Sequence, residues 1–256
     1  MGIFEDKICV VTGAASGIGL ATAALFAREG GRLVLADLTD ASEVANELGA
    51  TFVKTDVREP ADVEHLFAAA VARHGRVDVL VNNAGTITEV ELDEASPADF
   101  ELHLGVNTVG VFLGIKYGAR AMSAGSAIVN TASAAGNIGL RGYGPYAASK
   151  AAVISLTRVA AIEYGGRGIR VNCVCPSSVD TPMLAAQANG DLERQISKLA
   201  APSGAAITAD QVADVIAFLS SSKSSAITGQ ALTIDAGMSA GYSDGLLETV
   251  ATGIGR

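Results

Sequence analysis

The sequence predicts an α/β fold, a single doubly wound domain with a parallel sheet of about seven strands between two helix layers. Two observations carry this expectation. Short runs rich in Val, Ile and Leu alternate with longer amphipathic or Ala-rich stretches from one end of the chain to the other. The short runs are also continuously apolar rather than alternating, the pattern of strands covered on both faces.

Taken in order, "KICVVT" is the first strand and leads through a glycine-rich turn into a helix over 17–29. "RLVLAD" and a helix over 40–48 follow, then "TFVKTD" with a helix over 60–74, and "VDVLVN" with a long helix over 97–122. "SAIVNTA" precedes a helix over 145–164, where Pro145 suits a first helical position behind Gly144. "IRVNCVC" is the sixth strand, and a helix over 209–222 leads to "QALTID". Residues 176–208 break the rhythm after the sixth strand. A strand's carboxyl end faces the ligand crevice in such a sheet, so this segment is expected either to cover a substrate as a lid or to extend the surface.

The 256 residues are 49% hydrophobic and 18% charged, enough apolar material for one sizeable core. A net charge of -9 argues against a nucleic-acid partner, which needs clustered Lys and Arg. The start has acids where a signal peptide needs a basic region, and no apolar run is long enough for a membrane span, so a cytoplasmic location is expected. Cys9, Cys173 and Cys175 read as reduced core thiols, the last two on one strand face. His65, His74 and His103 lie on polar helical stretches without ligand spacing, so no metal site is proposed.

The turn "TGAASGIG" carries Gly13, Gly17 and Gly19 between the first strand and its helix. Glycines there let the backbone approach a diphosphate, and the helix N-terminus offers unpaired N–H groups; any tight strand-to-helix turn also favours glycine. Asp37 ends the second strand, where a carboxylate either accepts the hydroxyls of an adenosine ribose or caps the next helix. On the nucleotide reading Asp37 repels a 2′-phosphate, and neutral Ser16 and Leu38 supply no compensating cation, so NAD is the expected cofactor.

Together, "TGAASGIG", "NNAG" at 82–85, Asn107, Ser133 and "YAASK" resemble the short-chain dehydrogenase/reductase family over residues 5–241, in its order and spacing. The resemblance implies a Rossmann-type domain with Asn107, Ser133, Tyr146 and Lys150 as the catalytic set. It also implies cofactor contacts from Ser16 and Ile18 in the turn, from Asp56 and Val57 at the adenine, and from Asn83, Ala84 and Gly85 at the adjacent ribose. Val179 and Thr181 match positions at the nicotinamide carboxamide, and Lys150 would also bond the nicotinamide ribose. Asn107 would hold a water that links Lys150 to solvent. A homotetramer, or a dimer, is implied through the helices near 107–122 and 145–164.

Tyr146 and Lys150 stand four positions apart, one helical turn. A free phenol has a pKa of about 10, and lowering it by three units takes about 4 kcal/mol. A unit charge at ~4 Å supplies about that much at an effective dielectric of ~20. Tyr146 is thus expected to be the general acid and base of an alcohol/ketone interconversion, with Ser133 bonding the substrate oxygen. Tyr143 has Ala147 four positions on and does not compete for that role.

The sequence departs from the family at Ser177, where glycine usually follows Pro176, so either the backbone shifts there or Ser177 touches substrate. Ala132 stands where serine is common, and Ala236 replaces the first of two glycines. The tail 242–256 is expected either to cross a neighbouring subunit's pocket or to be loose. Ala135, Ile138, Tyr143, Val179, Met183 and Leu184 are candidate substrate contacts, with little charge beyond Arg141, so a small to medium, rather apolar secondary alcohol or ketone is expected. The alternatives are a 3-oxoacyl-carrier-protein-type reductase and a non-catalytic NAD(H) sensor.

Overall fold

The computed structural model describes residues 2–254; Met1 and the last two residues of the expected tail lie outside the described residues. Its first third repeats one unit: β1 (Ile8–Thr12), α1 (Gly17–Arg28), β2 (Arg32–Asp37), α2 (Ser42–Glu47), β3 (Thr51–Lys54), α3 (Pro60–His74) and β4 (Val79–Asn82). Then come α4 (Pro97–His103), α5 (Gly110–Arg120), β5 (Ala127–Thr131), α6 (Gly144–Gly165) and β6 (Arg170–Pro176). The segment after β6 holds β7 (Val179–Asp180), α7 (Pro182–Ala185), α8 (Gly190–Ala200) and β8 (Ile207–Thr208). The chain closes with α9 (Ala209–Ser220), β9 (Ala231–Ile234) and α10 (Asp244–Ile254).

The seven apolar runs form one all-parallel sheet in the order β3-β2-β1-β4-β5-β6-β9. Side chains alternate across it, so consecutive residues serve different cores. Val10, Val34 and Leu80 join α3, α5 and α6 on one face, while Val11, Leu35 and Val81 join α1, α2 and α9 on the other. Cys173 and Cys175 share the first core and Cys9 lies in the second; all three are buried free thiols. Burial pushes the Cys9 thiol up.

Strand order reverses between β1 and β4, which opens a crevice at the carboxyl ends of the strands, where the turn after β1 lies. The helix expected over 97–122 is continuous but contains a π-helical turn at Leu104–Val109, a form that concentrates at functional sites. Three helices were not legible beforehand: α7, α8 and α10. Parallel pairing of Val179 with Ile207 and of Asp180 with Thr208 pins both feet of the segment that carries α7 and α8. From the tail, α10 packs on α8 of the same chain, and the Ser243 hydroxyl donates to the Leu199 carbonyl.

Candidate active site

Gly13 has φ +65°, and a Cβ there would come within 2.7 Å of the Ala84 backbone. Thr12 Oγ1 accepts from the Asn83 and Ala84 N–H groups, and Asn83 Nδ2 donates back to the Thr12 and Gly13 carbonyls. This lacing holds the glycine turn flat against the end of β4. Ser16 is the N-cap of α1 but makes no side-chain cap, so the first N–H groups of that helix point into the crevice without a protein acceptor from the cap. Gly17 has φ +55° and faces the Thr181 methyl group, which brings the start of the 176–208 segment onto the turn.

Asp37 lies at the far end. Its Oδ2 accepts from the Ala15 N–H and its Oδ1 from the Thr39 N–H, both at 2.9 Å, leaving further lone pairs on each oxygen. Beyond it, Asp56 chelates the Arg58 guanidinium through both oxygens, with a shortest contact of 2.6 Å. Those bonds hold the Asp56 carboxyl below the usual carboxylate range. Sequence reasoning missed this cation at the nucleotide end; its charge is already matched. A glycine turn followed by a helix N-terminus, and a carboxylate at the end of β2, fit a dinucleotide.

At the opposite end, Ser133 follows β5 and its Oγ accepts from the Ala135 N–H at 3.2 Å, capping a short 3-10 turn. Tyr146 lies in the first turn of α6, and Lys150 one turn on. Lys150 is buried, with Nζ 2.8 Å from the Thr131 carbonyl and 5.8 Å from the Tyr146 ring centroid. The electrostatics differ from what the i, i+4 spacing alone implies. Burial pushes the Tyr146 phenol up, and the Ser133 hydroxyl beside it draws it partly back. The same burial pushes Lys150 down to about 8. Desolvation acts on both charged forms and offsets the attraction between them.

Asn107 sits fully buried in the π turn. Its Oδ1 accepts from the Thr86 N–H at 2.8 Å, while Nδ2 donates to the Thr86 carbonyl at 3.0 Å and to Ser149 Oγ at 2.9 Å. Its side chain therefore ties the loop after β4 to α6, one residue before Lys150. His103, expected on a polar helix face, is instead fully buried. Its Nδ1–H donates to the Asp99 carbonyl at 2.7 Å, Nε2 accepts from the Thr88 N–H at 3.1 Å, and its ring meets the Tyr146 ring edge-on at 6.1 Å. The polar neighbours of His103 in sequence face outward while its own position turns inward beside the π turn, which a simple helical pattern does not reveal.

One cleft of about 850 Å³ joins these ends. Of the residues singled out beforehand, Gly13, Ser16, Gly17, Ile18, Asp37, Asp56, Val57, Asn83, Ala84 and Gly85 line it toward the nucleotide end. Ser133, Ala135, Ile138, Tyr143, Tyr146, Lys150, Val179, Thr181, Met183 and Leu184 line the rest. Gly19 and Asn107 do not; Gly19 packs against Gly13 and Asn83 behind the turn. Arg141 also borders the cleft, but it is 87% exposed and paired with Glu91. Ser177 has no positive φ; its hydroxyl is buried without a partner in the cleft wall. Ala236 does take up the glycine conformation, with φ +51°.

Sequence reasoning missed Thr131, Ser178, Gln187, Glu193 and Asp235 in the wall. Thr131 and Asp235 lie at carboxyl ends of strands, a signal that could have found them. Gln187 and Glu193 enter only because α7 and α8 fold back over the site. The Tyr143 hydroxyl donates to Gln187 Oε1 at 2.8 Å, and burial, with Glu193 and Glu89 nearby, pushes the Tyr143 phenol up to about 12. Among the described residues no three His, Cys, Asp or Glu side chains converge as a metal site, and no helix is long and apolar enough to cross a membrane.

The chain matches the family model described as Enoyl-(Acyl carrier protein) reductase over residues 13–239. It is 41% identical over 241 residues to the mitochondrial borneol dehydrogenase of Lavandula x intermedia, covering 92% of this chain and 91% of the relative. It is 39% identical over 251 residues to the cis-4-hydroxycyclohexanecarboxylate dehydrogenase of Sinomonas cyclohexanicum, covering 93% of this chain and 98% of the relative. The crystal structure of levodione reductase superposes with a TM-score of 0.87 at 32% identity, covering 93% of this chain and 100% of that one.

Proposed function

The chain belongs to the short-chain dehydrogenase/reductase family, an oxidoreductase that binds a nicotinamide cofactor, and on that premise we propose that it interconverts a secondary alcohol and a ketone with NAD(H). The observation that carries this reading is the convergence of Ser133, Tyr146 and Lys150 on one cleft wall, with Asp37 at the other end of the same cleft.

When bound, the nicotinamide supplies the hydride acceptor or donor for the carbinol carbon. Tyr146 takes the proton from the alcohol oxygen in oxidation and returns it in reduction. Ser133, held by the Ala135 N–H, donates to the same substrate oxygen and steadies the charge that develops there. Lys150, pinned to the Thr131 carbonyl, keeps two more N–H groups for a cofactor ribose and for proton exchange. Asn107 keeps the Thr86 loop and the Lys150 turn of α6 in register. Asp37 accepts ribose hydroxyls and disfavours a 2′-phosphate; the pairing of Arg58 with Asp56 supports NAD over NADP.

Ile138, Leu140, Met183, Leu184 and Ile196 in the cleft support a small to medium, largely apolar substrate, with α7 and α8 as the lid over it. Two of the relatives are named for ring-borne secondary alcohols, which supports a cyclic substrate. Exposed Phe112, Val159 and Ile162 on α5 and α6 support packing of further copies into a homotetramer. The test is consumption of NADH with a panel of cyclic and linear ketones. Turnover that depends on the ketone is the expected result; tight NADH binding with no turnover on any of them would favour a non-catalytic NAD(H) sensor.

A further inference from the structure

We propose that Glu193 makes this cleft selective for a substrate carrying a second hydrogen-bond donor, such as a hydroxyl, away from the reacting carbon, and that it excludes substrates with a carboxylate there. The inference rests on the alcohol/ketone reading above and names the substrate class of that same site.

Glu193 is a half-buried acid in the cleft wall, carried inward by α8. Its Oε2 accepts from the Ser178 hydroxyl at 3.2 Å, and among the described residues it has no salt-bridge partner and Oε1 has no protein donor. The neighbouring Arg194 turns away to Asp180 and Asp191. A carboxylate is an acceptor only, so the group that completes Glu193 must bring a hydrogen. The cations in the wall give an anionic substituent no counter-charge. Arg58 is chelated by Asp56, Arg141 points to solvent and pairs with Glu91, and Lys150 is bonded to Thr131 at the reacting end.

The Tyr143 ring meets the Tyr146 ring edge-on at 6.3 Å. Glu193 is near enough to Tyr143 to contribute to the raised state of its phenol. Tyr143 thus neighbours both groups, and Glu193 is met by a part of the substrate other than the oxygen at Tyr146. The Ser177 hydroxyl, next to Ser178 in the same wall, is a further polar group without a protein partner.

The test compares cyclohexanone, 4-hydroxycyclohexanone and 4-oxocyclohexanecarboxylate on the full-length protein and on Glu193→Gln. Two readouts are taken: kcat/KM with NADH, and calorimetric binding of each ketone to the NADH-loaded protein. The unaltered protein is expected to favour the hydroxyketone over the carboxylate by about tenfold or more, and Glu193→Gln to narrow that ratio by about tenfold, because its amide no longer repels the anion. A ratio unchanged in Glu193→Gln, or a preference of the unaltered protein for the carboxylate, overturns the proposal. Absence of turnover on all three ketones counts against the alcohol/ketone reading instead, and the binding ratio then still decides the role of Glu193.

Discussion

Lys150 donates from Nζ to the Thr131 carbonyl at 2.8 Å, so the ammonium is anchored to the end of β5, 5.8 Å from the centroid of the Tyr146 ring. The anchor fixes where a buried cation sits relative to the phenol that the proposed reaction needs.

Replacing Tyr146 with Phe keeps the ring and its edge-on neighbours His103 and Tyr143 but removes the hydroxyl that transfers the proton. Turnover should fall by about 100- to 10,000-fold, the usual weight of a positioned general acid or base. NADH affinity, measured by fluorescence titration, should stay within about threefold, since the ring still fills its place. A near-normal rate would remove Tyr146 from the chemistry.

The buried Lys150 predicts a pH dependence of stability. Its ordinary value of 10.5 falls to about 8 in the folded chain through desolvation. Between those values the unfolded chain holds a proton that the folded chain has released, so raising the pH favours the folded state. From about pH 7.5 to about pH 9.5 this contributes about 2 kcal/mol. Urea unfolding of the parent protein and of Lys150→Met at both pH values checks it: the stability difference between the two proteins should shift in favour of the parent by that amount. An unchanged difference would mean that Lys150 is not desolvated.

Asp37→Ala should lower the ratio of kcat/KM for NAD over NADP by about tenfold or more, because the charge that repels a 2′-phosphate is gone. The variant also frees the Ala15 and Thr39 N–H groups, so the absolute KM for NAD should rise as the glycine turn loosens. A ratio equal to that of the parent would take Asp37 away from the ribose.

Ala236 has φ +51°, a region that costs a residue with a Cβ about 1–2 kcal/mol. Ala236→Gly relieves this, and the greater freedom of glycine in the unfolded chain takes back about half. A net gain of about 1 kcal/mol should raise the Tm by roughly 2–4 °C in a chain of this size. A lower Tm would show that the turn after β9 is held by contacts of the Ala236 methyl group.

Much of the site was legible because its signals are local. Gly13 and Gly17 stand where backbone must turn and approach closely, Asp37 ends a strand, and Tyr146 and Lys150 are one helical turn apart. The burial of His103 was not legible, because the π turn after it shifts the helical phase by one residue. The pairing of Arg58 was also hidden, since a guanidinium two residues from a carboxylate reads equally as a free cation.

The sequence by itself determined the alternation of the seven sheet strands with most of their helices, and the residue types that gather at the carboxyl ends of those strands, because the periodicity of apolar residues and the geometry of short turns depend only on neighbours along the chain. The tertiary structure alone decided that Glu193 and Gln187 face the cleft and that burial works against the charges of Tyr146 and Lys150. Those outcomes depend on how α7 and α8 fold back across the strand ends and on how much water the packed layers exclude, neither of which is encoded in the spacing of residues within one element.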